Sequence, residues 1–551
     1  MSQDRVVSPA LSSEDEGVEE HQRAPSTEYE PLLHSPNLGD LKYQDYGDLQ
    51  SILSAGPSSW LPAEDRRVVM KTDLRIMSWG CVLFFSMQIN RISIENVLTT
   101  DFINDMGMQQ RDYNLGQTAY LICFLLFEIP IQIITVVLGP HRVIPTTAVL
   151  WAIVGFSQTF MKSRTTFLIT RSLLGACEGG FTSGLVLYLT SFYKSYEMSS
   201  RLAMVWATLY LTNVVSAVLA PAVFALFRNT AGGNAAQEWR GLFFVEGILT
   251  IVIGTVSFYL LPAIDAVPRI SRVYTPREEA ILRARVILDD PSKAVALAGR
   301  RTSTSAAGRR NRAMQNFSLR QILETLFNPY LCVVFVLGFT GFIPSIASYH
   351  FFTLILHGMG FSTTLSNVLV IPGNIMLVVG MIIVARMSDA RKVHWPAPIF
   401  AMLWVLPFLI ILIVLPDNSP TWLRVVALTF VVGFPYYTPV LASWVSANAN
   451  DQGVRGVAIA LYNVAVQLGN IAAVNVYRTA DAPYYRRGNS VLVAVAVGNI
   501  ALAAATRWWF ARTNRRRERR LAAMTDTAGT MATTAAGVVC PKPPDTYCLC
   551  L

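Results

Sequence analysis

Charge is what this sequence has least of. Asp, Glu, Lys and Arg supply 15% of its 551 residues while 52% are hydrophobic, against about 25% charged residues in a soluble domain. That balance excludes a water-soluble globule and points to an integral membrane protein. Cysteine is also scarce: four of the seven (Cys81, Cys123, Cys177, Cys332) fall inside apolar runs and three in the C-terminal tail, so no disulfide framework is expected. The N-terminal stretch is acidic and polar, without a basic segment leading into a short apolar core, so no cleavable signal peptide is expected and the first span would act as its own signal. There is no His/Cys/Asp cluster with metal spacing, no Gly-rich phosphate loop with a lysine and no nucleophile elbow, which argues against an enzyme and against any metal or cofactor. The formal charge is +9, yet the basic residues lie between apolar runs and not along one face. Membrane topology, not nucleic acid, accounts for them.

What is present is a series of apolar stretches. A bilayer core of about 30 Å asks for about 20 apolar residues per helix. Stretches of that kind lie near 74–97, 115–138, 143–161, 166–192, 202–227 and 241–262, then, after a polar break, near 329–356, 363–386, 397–416, 421–446, 455–477 and 490–511. The expected architecture is therefore all-α and polytopic: a disordered cytosolic tail over 1–72, a six-helix bundle over 73–262, a cytosolic central loop over 263–325, a second six-helix bundle over 326–511 and a cytosolic tail over 512–551. Short loops make successive spans antiparallel. Lysine and arginine concentrate in one set of loops (Arg66, Arg67 and Lys71; Arg142; Lys194 and Arg201; the run from Arg269 to Arg320; Arg386, Arg391 and Lys392; Arg507 to Arg520), which assigns that set to the cytoplasm. In the central loop, TPREEAILRARVILDDP has a threonine N-cap, proline at the first helical position and Glu278 to close a capping box. It is expected to be a short amphipathic helix lying on the cytoplasmic face.

An ionised group at bilayer depth costs roughly 2.5 to 3.5 kcal/mol even on the lenient insertion scale. Five such residues are found, all in the first half: Arg91, Glu128, Arg171, Glu178 and Glu246. The second half offers amides instead: Asn374, Asn463, Gln467, Asn470 and Asn475. Arg171 and Glu178 stand seven residues apart in RSLLGACEGGF, hence on one helix face about 10 Å apart along the axis. They are too far apart to pair with each other and suitably spaced as two stations on a cavity wall. Gly175, Gly179, Gly180 and Gly184 keep that helix slim, admitting either a neighbouring helix or a substrate. Plainer readings stand beside these: Arg171 as a staple to Glu128 or Glu178, Glu178 bonded to backbone, Glu128 steadying a kink at Pro130, Glu246 in a structural or gating role, Asn463 and Asn470 as glue between helices.

Several motifs, taken together, carry a resemblance: INRISIEN (89–96), FEIPIQ (127–132), LGPHRVIP (138–145), RSLLGACEGGF (171–181), YLTSFY (188–193), WRGLFFVEG (239–247) and DAPYYRRG (481–488). With two six-helix halves around a long loop, they resemble the major facilitator superfamily, and within it the anion:cation symporters of the fungal allantoate and nicotinate permease group, over about residues 72–515. The resemblance implies a secondary transporter, not an enzyme, that moves a small carboxylate-bearing anion with protons by alternating access, as a monomer in the bilayer. It implies that Arg91 and Arg171 meet the anion, with Asn463 and Asn470 shaping the rest of the site, and that Glu178 carries the proton with Glu128 as a second candidate. Arg142 and Asp389 fall at the gating motifs. The chain departs from the pattern at Asn90, where an acid is usual, at His141 and at Ala390. An exporter of a secondary metabolite and a non-transporting nutrient sensor are the alternative functions.

The plasma membrane is the expected location. EYEPLL (28–33) supplies overlapping dileucine and tyrosine sorting patterns that would direct the chain to a vacuolar or endosomal membrane. Arg300-Arg301-Thr302-Ser303 fits a basophilic kinase or a plain linker, the Asn316-Phe317-Ser318 sequon lies on the cytosolic side, and the terminal CLCL fits a prenylation box only superficially.

Overall fold

The structure is a computed structural model that describes residues 59–532 except 99, 231–235, 264–272, 291–292, 294–318, 362, 417, 450–451, 479–480 and 482–483. The sorting patterns, the kinase site, the sequon and the CLCL terminus lie outside the described residues.

The described chain is helical. In order come α1 (Pro62–Thr72), a π-helical turn (Asp73–Met77), α2 (Ser78–Val97), α3 (Phe102–Asp105), α4 (Gln110–Leu138), α5 (Pro140–Ser157), α6 (Arg164–Glu178), α7 (Phe181–Thr190), α8 (Met198–Thr230) and α9 (Ala236–Leu260). Then follow α10 (Pro276–Asp289), α11 (Leu319–Leu326), α12 (Pro329–Thr340), α13 (Ile343–Gly358), α14 (Thr363–Arg391), α15 (Pro396–Val414), α16 (Thr421–Val432), α17 (Thr438–Ala447), α18 (Gln452–Val474) and α19 (Arg486–Ala532). Among the described residues, ten spans are long and apolar enough to cross a bilayer, and α16 is a shorter apolar helix. The remaining rod is α2, whose 20 residues include Gln88, Asn90, Arg91 and Glu95. These polar side chains dilute its apolar character. Three rods are broken: α6/α7 at Gly179-Gly180, α12/α13 at Gly341 and α16/α17 between Gly433 and Tyr437.

Within the first half α4 packs on α6 and α9 on α5; within the second, α15 packs on α19 and α12 on α18. The halves meet where α8 lies against α14 and α17, and α18 against α4 and α7. One large apolar cluster runs through both halves. A smaller one, built on Phe102, Phe167, Trp239 and Phe243, belongs to the first half and sits at the end away from the basic loops.

Two expectations are corrected, those for residues 62–72 and for the central-loop helix. Residues 62–72, assigned to the tail, form α1, with Pro62 at the first position and the Glu64 carboxylate accepting from the Leu61 N–H at 2.9 Å. The C-terminal tail assigned from 512 begins as a continuation of α19. The central-loop helix α10 has the expected Thr275–Glu278 capping box but does not lie on the surface, because every residue from Glu278 to Ile287 is buried. Its charges face complementary ones. Lys71 reaches Glu278 at 2.7 Å, Arg277 reaches Glu64 at 2.8 Å, and Arg285, fully buried, reaches Asp65 at 2.9 Å and also Glu197.

Beyond α10, neighbouring aspartates hold different halves. Asp289 accepts from the Ser195 N–H and hydroxyl at 2.7 and 2.9 Å, and Asp290 pairs with Arg455 of α18. Other polar contacts between halves are Asp389 with the Ser199 and Ser200 N–H groups at 3.2 and 2.7 Å, Ser443 with the Ser195 carbonyl at 3.4 Å, and Lys392 over the Tyr196 ring. These contacts sit at the end bearing the basic loops. The structure is a conformation sealed at that end.

Candidate substrate site

The site grows from one face of α4. Gln117, Tyr120, Phe124 and Glu128 recur every three or four residues, so they form a single stripe. α6 lies against that stripe because its glycines allow it: a Cβ on Gly175 would stand 2.2 Å from the Tyr120 carbonyl oxygen, and one on Gly179 2.7 Å from that of Phe124. Close approach of a helix, and not room for a ligand, is what these two glycines provide. Gly180, at φ 77°, then turns the chain in a left-handed conformation that favours glycine, and α7 begins.

This packing presents two arginines to one tyrosine. Arg91 Nε donates to Glu178 Oε2 at 2.9 Å, and the Tyr120 hydroxyl donates to the same oxygen at 2.6 Å. The Arg91 guanidinium also lies 4.7 Å from the Phe124 ring centroid and 5.5 Å from that of Tyr120. Arg171 lies 4.7 Å from the Tyr120 centroid and donates from Nη2 to Gln117 Oε1 at 2.6 Å. Its side chain is 1% exposed, yet Nε and Nη1 have no hydrogen-bond partner; Glu178 Oε1 and Arg91 Nη2 are likewise buried and unpartnered. Such groups cost about 1–3 kcal/mol each, more when charged, unless a ligand or water meets them. Two guanidiniums share one directly paired carboxylate here, and Glu95 of α2 lies within electrostatic range of Arg171.

Glu128 is fully buried further along α4. Its Oε2 accepts from Asn463 Nδ2 across the seam between halves at 2.9 Å and from the Gly180 N–H at 3.3 Å, and Oε1 is unpartnered. Glu128 and Asn463 are therefore brought together. Asn470, seven residues on from Asn463, donates to Gln467 at 3.3 Å and leaves a buried Oδ1 unpartnered. Asp389 holds the first turn of α8 through the two serine N–H groups, whereas Arg142 is exposed and forms no ion pair among the described residues. The pairing of Arg171 with Glu128 or Glu178 does not occur; Arg91 is the partner of Glu178. Asn90 turns away from the site: its amide donates to the Ser86 carbonyl at 2.9 Å and to Thr250 at 3.3 Å, and a Cβ on Gly155 would meet its oxygen at 2.9 Å. His350 is exposed at an edge contact with Tyr349.

Tyr120, Phe124 and Gln117 were not foreseen from sequence. Their helical spacing with Glu128 was the available signal.

Known proteins carry the same organisation. The model of the Major Facilitator Superfamily matches residues 80–474. An uncharacterized transporter of Saccharomyces cerevisiae is 35% identical over 475 residues, covering 85% of this chain and 84% of that one. The major facilitator-type transporter hxnP of Emericella nidulans is 25% identical, covering 83% and 88%. Among solved structures, the transporter FucP in the outward conformation superimposes with a TM-score of 0.57 at 11% identity, covering 78% of this chain and 98% of that one. The proton:xylose symporter XylE gives 0.55 at 14%, covering 78% and 95%. At such identities the solved structures share the fold alone. The family model across most of the helical region, the yeast transporter's identity over most of both chains and the two packed helical halves agree: this chain belongs to the major facilitator superfamily of membrane transporters.

Proposed function

We propose that the protein moves a small carboxylate-bearing organic anion across its membrane together with protons, as the anion:cation symporters its motifs resemble do, with the basic-loop end in the cytosol. The observation that carries this reading is Arg171, a guanidinium sunk among helices with two unpartnered nitrogens. A planar guanidinium offers a carboxylate two parallel charge-assisted hydrogen bonds. Glu178 supplies the coupling. It holds Arg91 by an ion pair, so an anion that competes for Arg91 releases the carboxylate to take a proton, and protonation reciprocally frees Arg91 for the anion. Glu128, tied to Asn463 of the other half, is placed to report the same event to the seam. Asn470, with its free oxygen, faces the remainder of the substrate, and Asp389 and Arg142 serve the gate.

Uptake of a panel of small carboxylates into proteoliposomes, with and without an inward proton gradient, tests the proposal. Wild-type protein accumulates one or more acids under the gradient. Glu178→Gln retains downhill flux but loses gradient-driven accumulation, and Arg171→Ala raises KM about 10- to 100-fold, the worth of a charge-assisted hydrogen bond or two. Undiminished accumulation by Glu178→Gln would refute the coupling role. An unchanged KM in Arg171→Ala would refute the clamp.

A further inference from the structure

A second buried carboxyl lies on the other flank of α2. Glu246 of α9 is 1% exposed, with Oε2 bonded to the Ser93 hydroxyl and Oε1 unpartnered. Ser93 follows Arg91 by two residues, so α2 turns the two side chains to roughly opposite sides. One faces α4 and α6, the other α9.

Proton bookkeeping at Ser93 bears on the state of Glu246. The hydroxyl oxygen is 2.5 Å from the Ile89 carbonyl oxygen as well as in contact with the Glu246 carboxyl. A carbonyl can only accept, and a serine hydroxyl has one proton to give. With that proton on Ile89, the contact with Glu246 needs a proton from the carboxyl. The surroundings ask for the same thing. Among the described residues no ion pair involves Glu246. Among the described side chains, on α2 Arg91 is engaged by Glu178 and Glu95 is exposed; on α3 Asp105 accepts from Trp239 at 3.0 Å; on α9 itself Arg240 lies 4.7 Å from the Trp239 ring centroid; on α5 and α8, His141, Arg142 and Arg201 stand at the far, basic end. A carboxylate buried without a counter-charge is far costlier than a neutral acid.

We infer that Glu246 is a neutral, protonated acid in this conformation and acts as a positioning residue: it donates to Ser93 and thereby fixes α2 against α9 in the register that presents Arg91 to Glu178. The positioning half of this inference rests on the proposed role of Arg91; the protonation half does not. A neighbouring contact on the same flank helps fix that register, Asn90 with Thr250, while Asn96 with Ser216 at 2.6 Å ties α2 to α8.

Infrared spectroscopy of the reconstituted protein at neutral pH tests the protonation directly. The carbonyl-stretch band of a protonated carboxylic acid is expected in wild-type protein and lost in Glu246→Gln, whose amide keeps the shape and the donor. Absence of any band that the substitution removes overturns the inference, whatever the uptake assays give. Positioning is read from the pH profile of uptake together with KM. Glu246→Ala is expected to displace the profile and raise KM several-fold, and Glu246→Gln to restore both to within about twofold. A Gln variant as displaced as the Ala variant overturns the positioning role. Where Glu246→Ala does not fold, Ser93→Ala removes the same bond from the other side and is expected to act as Glu246→Ala does; unchanged KM and profile in Ser93→Ala would likewise overturn it.

Discussion

Tyr120 brings the site to a point: its ring is shared by two guanidiniums while its hydroxyl steadies the carboxylate that one of them holds. The arginines and Glu178 could be picked out of the sequence because a charge in an apolar run is anomalous on energetic grounds. Tyr120 could not, since aromatics are ordinary in such runs, and the Arg91–Glu178 pairing depends on how two helices distant in sequence come to lie side by side. Outside the spans, His394 supports a pH prediction. Burial pushes His394 down to about 4 from the ordinary 6.5, while its Nδ1 lies 2.9 Å from the Ser388 hydroxyl. A neutral folded histidine that charges on unfolding contributes stability that is present above about pH 6.5 and lost as pH falls toward 4. The full effect is on the order of 3 kcal/mol. Thermal unfolding in detergent should therefore weaken between pH 6.5 and 4.5 more steeply in the wild type than in His394→Gln; parallel curves would show that His394 titrates normally.

Helices were legible from hydropathy at the level of existence and order, and the break at Gly179-Gly180 was not. The element most misread was α10. Arg277, Glu278, Arg283 and Arg285 have the look of a solvated face, but the charges that complement several of them lie about 200 residues earlier in α1, which composition alone assigns to a tail. Pairing at that separation leaves no local trace. The glycines of the fourth span give a test at this scale. Gly175→Ala puts a methyl 2.2 Å from a backbone oxygen that cannot move without α4, whereas at Gly184 the nearest atom is a Thr135 methyl at 3.6 Å. Overpacking of the first kind costs about 1–3 kcal/mol or more, while replacing a helical glycine where the new methyl meets only ordinary van der Waals contacts gains up to about 1 kcal/mol. Melting temperatures in detergent should fall for Gly175→Ala and hold or rise for Gly184→Ala; equal effects would mean that the α4–α6 contact is looser than described.

For the whole molecule, the sealed basic end rests on a division of labour. α10 is bound to the first half by Glu278, Arg277, Arg285 and Asp289, and reaches the second through Asp290 and Arg455, beside the Asp389 cap on α8. Asp290→Asn should loosen this end without unseating α10. Ser446→Cys, which lines the small cavity between the halves there, should react with a membrane-impermeant maleimide several-fold faster in the Asp290→Asn background, with the native cysteines replaced. Equal labelling would mean that Asp290 does not hold the seal. In the proposed transport cycle α10 would travel with the first half, and among the described residues the links to break at this end are the carboxylates Asp290 and Asp389, the Ser443–Ser195 contact and Lys392 on the Tyr196 ring. On that proposed cycle α10 would act as a checkpoint and not a tether, with the frequency of opening following the lifetime of these links.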